Sequence, residues 1–249
     1  MVGSLFGSQA QYNNWSQGGI NSISITASEV FKAKYTASKF SYTNSINLKY
    51  GQTNIEGQGV RKTDDLIEIL NQFDFFLRDK RWSAFASINF RTQFDDGFDF
   101  GTDPETKISE FFAPAYFLES AGMSFEPVPY FKAQAGLALK QTIVRDTTLS
   151  TLYGVKAGEK FRSEGGLTIA LNFNKEIAKN VTYINRTETF TNLLIPVSST
   201  DVVFYNELNG KINEVLNANV QFVLAYDDDF SNQVQLKQII AVGLSIKFI

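Results

Sequence analysis

The sequence predicts an all-β fold: an antiparallel transmembrane β-barrel of about twelve strands, with residues 1–249 as a single domain. Three observations predict it. Apolar and polar residues alternate with period two along most of the chain. The connections between alternating segments are short and long in turn. The polar faces are mostly Ser, Thr, Asn, Gln, Gly and Ala, with isolated charges of both signs.

The elements follow in order. Residues 3–11 are read as the first strand, although they alternate poorly, and residues 13–19 as a surface turn carrying Trp15. From Ile23 the apolar face is Ile23, Ile25, Ala27, Phe31, Ala33 and Tyr35, against Ser22, Ser24, Thr26, Ser28, Lys32 and Lys34. Such alternation marks a strand with one greasy face. The same pattern places Phe40, Tyr42, Ile46, Leu48 and Tyr50 on one face. It recurs in Ile67 to Leu77, Trp82 to Phe90, Phe131 to Leu139, Leu167 to Phe173, Phe204 to Ile212, Leu216 to Leu224 and Val234 to Phe248. Two further strands, at about 116–126 and 181–192, alternate too weakly for their faces to be assigned.

Short turns are expected near 36–38, 78–81, 127–128, 175–179 and 213–214. Long loops are expected near 53–63, 94–114, 141–161, 193–200 and 227–232. Short periplasmic turns with long extracellular loops are the order of an outer-membrane barrel, and an even strand count puts both termini in the periplasm. A soluble barrel turns its apolar faces inward and meets water with charge. Here aromatics close the apolar faces at both ends. Tyr35, Phe40, Tyr42, Trp82, Phe131, Phe173 and Phe248 lie on the short-turn side, with Phe90 and Tyr226 on the long-loop side, as interfacial girdles require.

Composition narrows the function. The chain has no Cys and no His, so no Ser-His-Asp triad, cysteine nucleophile, thiolate or imidazole metal site or disulfide frame is available. An enzyme is not expected, and no cofactor or metal is expected. A net charge of −3 and a pI near 5.2 give no support for nucleic-acid binding. No apolar run approaches the roughly 18 residues of a membrane helix, and the N-terminus is not expected to be an intact signal peptide.

Several motifs resemble a family of outer-membrane β-barrels from Bacteroidota that is known only as a domain of unknown function. They are Asn14-Trp15-Ser16-Gln17-Gly18-Gly19, Tyr50-Gly51-Gln52-Thr53, Arg61-Lys62-Thr63-Asp64-Asp65, Asn89-Phe90-Arg91-Thr92-Gln93-Phe94, Tyr226-Asp227-Asp228-Asp229 and Gly243-Leu244-Ser245-Ile246-Lys247-Phe248. The resemblance implies fold and location, and carries no catalytic residues.

The candidate functional residues are the inward charges Lys49, Glu68, Asp74, Arg91, Lys132, Glu207, Lys211 and Lys237. They either set the selectivity of a pore or pair across it. Five are basic and three acidic, which favours internal pairing and a weak anion preference if water passes. The loop 94–114 carries Asp95, Asp96 and Asp99. Together with Trp15 and the Asp227-Asp228-Asp229 turn, these are surface or partner candidates. Asp95-Asp96-Gly97 does not match a helix-loop-helix calcium loop. Arg91 is expected to reach the acidic residues of that loop. Two functions follow: a narrow passive channel for small polar solutes, or a closed barrel that docks other outer-membrane or surface proteins. In both, outer-membrane lipid surrounds the wall of a Gram-negative cell.

Overall fold

The computed structural model describes residues 1–12, 20–227 and 231–248. Its strands are β1 (Val2–Ala10), β2 (Ser22–Thr36), β3 (Phe40–Ile55), β4 (Gly59–Phe76), β5 (Trp82–Thr92), β6 (Gly97–Asp99) and β7 (Thr106–Ser109). There follow β8 (Ala115–Val128), β9 (Phe131–Ile143), β10 (Phe161–Ala178), β11 (Val181–Asn192), β12 (Asp201–Lys211), β13 (Leu216–Asp227) and β14 (Ser231–Lys247). Twelve of them close a ring in the order β1, β2, β3, β4, β5, β8, β9, β10, β11, β12, β13, β14 and back to β1. Every pairing in the ring is antiparallel. The seam joins Val2 to Lys247 through Gly7 to Val242. Closure removes the sheet edge and satisfies the backbone within the ring. β6 and β7 pair separately, in the loop after β5.

Directly opposed residues of an antiparallel pair lie on the same face. One assigned strand therefore fixes its neighbours. Ile25, Ile46, Ile69, Ile88, Leu137, Ile169, Val220 and Ile240 all face outward on this register. The outer wall stays apolar and exposed: Leu137 is 65% accessible and Ile240 79%. The inner face is polar. An apolar outside around a polar inside is the inverse of a soluble barrel, and it suits a hydrocarbon surround.

The register also settles the two ambiguous strands. In β8, Phe117, Ala121, Met123 and Phe125 face outward together with a carboxylate, Glu119, opposite Ile88 and Leu139. Leu118 faces inward, so both faces are mixed. In β11, Asn185, Thr187 and Thr189 face outward opposite Phe173, Leu171 and Ile169. Its apolar Ile184 and Phe190 point inward, which inverts the usual signal. Glu29 likewise sits on the outer face of β2, opposite Leu48.

One expected long loop is corrected. Residues 53–63 are a long hairpin, with β3 and β4 continuing to Ile55 and from Gly59. Only residues 56–58 turn. Gly57 and Gly59 have φ of 75° and 76°, the left-handed region that glycine enters without a Cβ penalty. A polar, glycine-containing sequence resembles a loop in composition, yet it continues the ladder. The expected surface turn at 13–19, with Trp15, lies outside the described residues, as do Asp228 and Asp229.

Gly122 and Gly136 oppose one another on the inner face of β8 and β9. A Cβ on Gly122 would come within 2.1 Å of the Ala135 carbonyl oxygen, and one on Gly136 within 2.4 Å of the Ala121 oxygen. The two strands approach this closely only because both positions lack a side chain. Phe85, opposite Gly122 on β5, is buried and lies on the same inner face.

At the long-loop end, residues 93–114 and 144–160 pack together. Ala113, Val144, Leu149, Tyr153 and Val155 form a buried apolar cluster with Tyr116 against it. The 3-10 turn Thr147–Tyr153 is capped by Asp146, whose side chain accepts from the Thr148 amide, and it ends at left-handed Gly154. This cap is a small soluble-type core set on a barrel of opposite polarity.

Candidate functional site

Charged side chains placed inside a closed ring lose bulk water unless they pair or keep access to luminal water. Both outcomes occur. Alternation turns Lys49, Glu68, Asp74, Arg91, Lys132, Glu207, Lys211 and Lys237 to the inner face, and Asp64, Lys140, Glu164 and Glu188 join them.

The central bridge is built on Arg91. Its Nε donates to Glu68 Oε1 at 2.6 Å on the adjoining β4, and its Nη2 donates to Glu188 Oε2 at 2.7 Å. Glu188 belongs to β11, with β8, β9 and β10 between it and β5, so the guanidinium crosses the lumen. The planar fork of Arg suits two carboxylates at once. The Arg91 and Glu188 side chains nevertheless remain 34% and 32% accessible. Water-sized space adjoins the bridge.

Asp64 organises a second crossing. It is buried and lies 3.4 Å from Lys49 Nζ. It also accepts from Lys237, which reaches it from β14 past β1, β2 and β3. Lys49 Nζ in turn donates to Gln221 on β13 at 3.2 Å. A third crossing lies toward the short turns. Buried Asp74 accepts from Lys132 Nζ at 2.8 and 3.0 Å and from Gln72 Nε2 at 2.9 Å. Toward the long loops, Lys140 Nζ donates to Asp201 on β12 at 2.6 Å. Arg162 and Asn192 both donate to Glu164 Oε1, at 2.6 and 2.8 Å. Glu207 accepts from the Tyr205 hydroxyl. Lys211 ends β12 at the short-turn rim.

The acidic loop forms no luminal bridge to Arg91, which corrects the expectation that the two would join. Arg91 is already committed to Glu68 and Glu188. The loop's own charges are held locally. Asp95 accepts from Tyr50 and from the Asp96 amide, and Asp99 accepts from the Gly101 amide. The Asp96 amide bond is the main reason the Asp95 carboxyl titrates below its usual range. Glu110 is likewise held low, first by Lys107 and then by Arg145. Burial pushes the Tyr153 phenol up to about 12, and its hydroxyl donates to the Ile108 carbonyl at 2.7 Å.

The Arg61-Lys62-Thr63-Asp64-Asp65 run divides in two. Lys62 pairs with Asp65 at 2.8 Å, as a fold-back through ion pairs would have it. Arg61 instead lies over the Phe100 ring at 4.3 Å, and Asp64 turns into the lumen. Asp64 and Asp65 take opposite faces as successive strand residues, while a register shift between Gly51 and Gln52 re-aims Lys62 and Arg61 relative to them. Asp64, Glu164 and Glu188 are among the inward acids that sequence reasoning missed. The polar start of β4, beside a segment read as a loop, hides Asp64, and the inverted polarity of β11 hides Glu188.

Residues 7–98 match a family described as a protein of unknown function, DUF3078. No curated protein matches the chain. Among solved structures, the chain is similar to the NanC porin at 7% identity, covering 100% of both chains with a TM-score of 0.43. It is similar to the KdgM porin at 11% identity, covering 100% of this chain and 99% of that one with a TM-score of 0.35. It is also similar to an outer membrane channel from Pseudomonas putida F1 at 8% identity, covering 98% and 92% with a TM-score of 0.43.

Proposed function

We propose that this protein is an outer-membrane β-barrel of a Gram-negative bacterium and acts as a narrow passive channel for ions and small polar solutes. One observation carries the reading: Arg91 and Glu188 bridge the lumen yet each stays about a third accessible. A plugged barrel would leave its central pair dry. An open porin of about 16 strands would leave the opposite walls out of reach, and twelve strands lie between the filled and open regimes. The paired termini of β1 and β14 lie at the short-turn end, which this reading places in the periplasm. It assigns no catalytic step. Purified protein in planar bilayers should give small, ohmic single-channel currents. A silent bilayer containing folded, heat-modifiable protein would remove the channel.

A second reading, a docking subunit of a larger outer-membrane complex, has its own support. Asn185, Thr187, Thr189 and Thr191 give β11 an uncharged hydrogen-bonding stripe on the outer wall, between apolar Leu167, Ile169 and Leu171 on one side and Val202 and Phe204 on the other. These groups bond within the wall, as Asn185 does to Asn206 at 3.0 Å and Thr191 to Thr200 at 3.0 Å, and a partner's polar side chains would add bonds that acyl chains cannot. Thr189→Cys in this cysteine-free chain should cross-link to a neighbour in native membranes, while Met123→Cys should not. Equal labelling at both sites counts against docking.

A further inference from the structure

The luminal charges are not all paired. Among the described residues, Lys32, Lys34 and Arg186 face inward with no carboxylate at ion-pair distance. Lys32 and Lys34 are alternate residues of β2, near its short-turn end, so their side chains project side by side. Arg186 comes from the far wall, on β11, at mid-height. It lies on the same inward register as Asn172 and Lys132, and its guanidinium sits 6.0 Å from the centre of the Tyr205 ring. Lys32 lies in the field of Arg186, Lys34 and Lys132 and of the Glu126 carboxylate, and Arg186 also lies in the field of Glu68. Lys132 is already held by Asp74. Glu68 and Glu207 also lie on the inner wall, but each has its own partner, in Arg91 and Tyr205 respectively. All three cations are exposed to luminal water.

We propose that Lys32, Lys34 and Arg186 form a binding site for a small multivalent oxyanion, of the phosphate or sulfate class, in the short-turn half of the lumen. Three cations with no carboxylate at ion-pair distance repel one another, and an anion between them relieves that repulsion. Arg supplies a planar fork matched to two oxygens, and the two lysines supply point charges to the others. A doubly charged oxyanion engages both kinds of donor, whereas chloride offers no oxygen geometry to the fork. The site rests on the same inward register as the channel reading, but it needs no current to be occupied.

The test is calorimetric titration of the folded protein in a non-ionic detergent with sodium phosphate and sodium sulfate, at ionic strength fixed by sodium chloride. Saturable binding of about one oxyanion per chain is expected, because Lys32 faces inward within the field of both Lys34 and Arg186. Arg186→Gln and Lys32→Gln should each weaken it about tenfold or more, as the loss of one charge-assisted hydrogen bond requires. Arg186→Lys should recover part of the loss. Lys175→Gln should change nothing, since Lys175 lies over the Tyr130 ring, outside this cluster. Heat-modifiable migration verifies that each variant is folded. No saturable heat, or binding that survives both Gln variants, overturns the site. A silent bilayer with intact binding removes the channel alone, and current without binding removes the site alone.

Discussion

The two ends of the lumen are built on opposite terms. At the long-loop end, two loops of about twenty residues supply their own apolar core, and the nearby luminal charges Lys140, Arg162 and Glu164 all have partners. At the short-turn end the connections are too short to supply a cap, and Lys32 and Lys34 face luminal water beside the paired Asp74 and Lys132. The difference teaches that capping at an end of this barrel is a property of loop length. Where the chain has residues to spare it builds a packed cap and the nearby charges pair, and where it has none some wall charges, Lys32 and Lys34, stay available to solutes.

The comparison breaks completely if the ring fails. Gly122→Val sets a side chain against the backbone of β9, where nothing flexible can yield. The cost should exceed the ~1–3 kcal/mol of ordinary overpacking. Loss of the heat-modifiable folded band on unheated gels is the expected outcome. A normal band would show that β8 and β9 are not as close as described.

A smaller effect should stay at one end. Leu149→Ala removes a buried side chain from the cap and should cost roughly 2–3 kcal/mol, the low end for such truncations because the cluster is small. Proteolysis within residues 144–160 should accelerate while the barrel stays resistant. Uniform loss of resistance across the barrel would mean that the two ends are not independent.

The smallest effect is electrostatic and acts at the same end. Lys107 and then Arg145 hold the Glu110 carboxyl below its ordinary value. A carboxyl whose folded pKa is depressed adds stability that is fully present above its unfolded pKa and is lost as pH falls through the folded one. The contact between the two loops should therefore hold at neutral pH and loosen only in the acid range. Glu110→Gln should abolish that acid-dependent step in loop proteolysis. An unchanged pH profile would place the step elsewhere.

Much of the barrel was legible in the sequence because a strand facing two solvents must alternate. Residues 234–248 show this plainly, and the strand count and closing direction followed from it. Legibility ended where physics allowed exceptions. Threonine packs well in a strand and tolerates the outer wall, so β11 carried no readable polarity and Glu188 went unseen with it. Asp64 shares the inner face with Leu66 and Glu68, but β4 begins at Gly59 within a polar segment that reads as a loop, and a register shift there re-aims Arg61 and Lys62. The eight named charges could be assigned to the inner face one strand at a time. Their partners could not, because a cross-lumen pair such as Lys237 with Asp64 depends on barrel diameter, which no single strand encodes.

The most direct test of a narrow, charge-bridged lumen is the reversal potential under a potassium chloride gradient for Arg91→Gln and Glu188→Gln. If the bridge lines the conducting path, each substitution removes one sign of charge from it. The two variants should then shift in opposite directions, Glu188→Gln toward anions and Arg91→Gln toward cations. Reversal potentials identical to the parent protein in both variants would contradict a conducting path past Arg91.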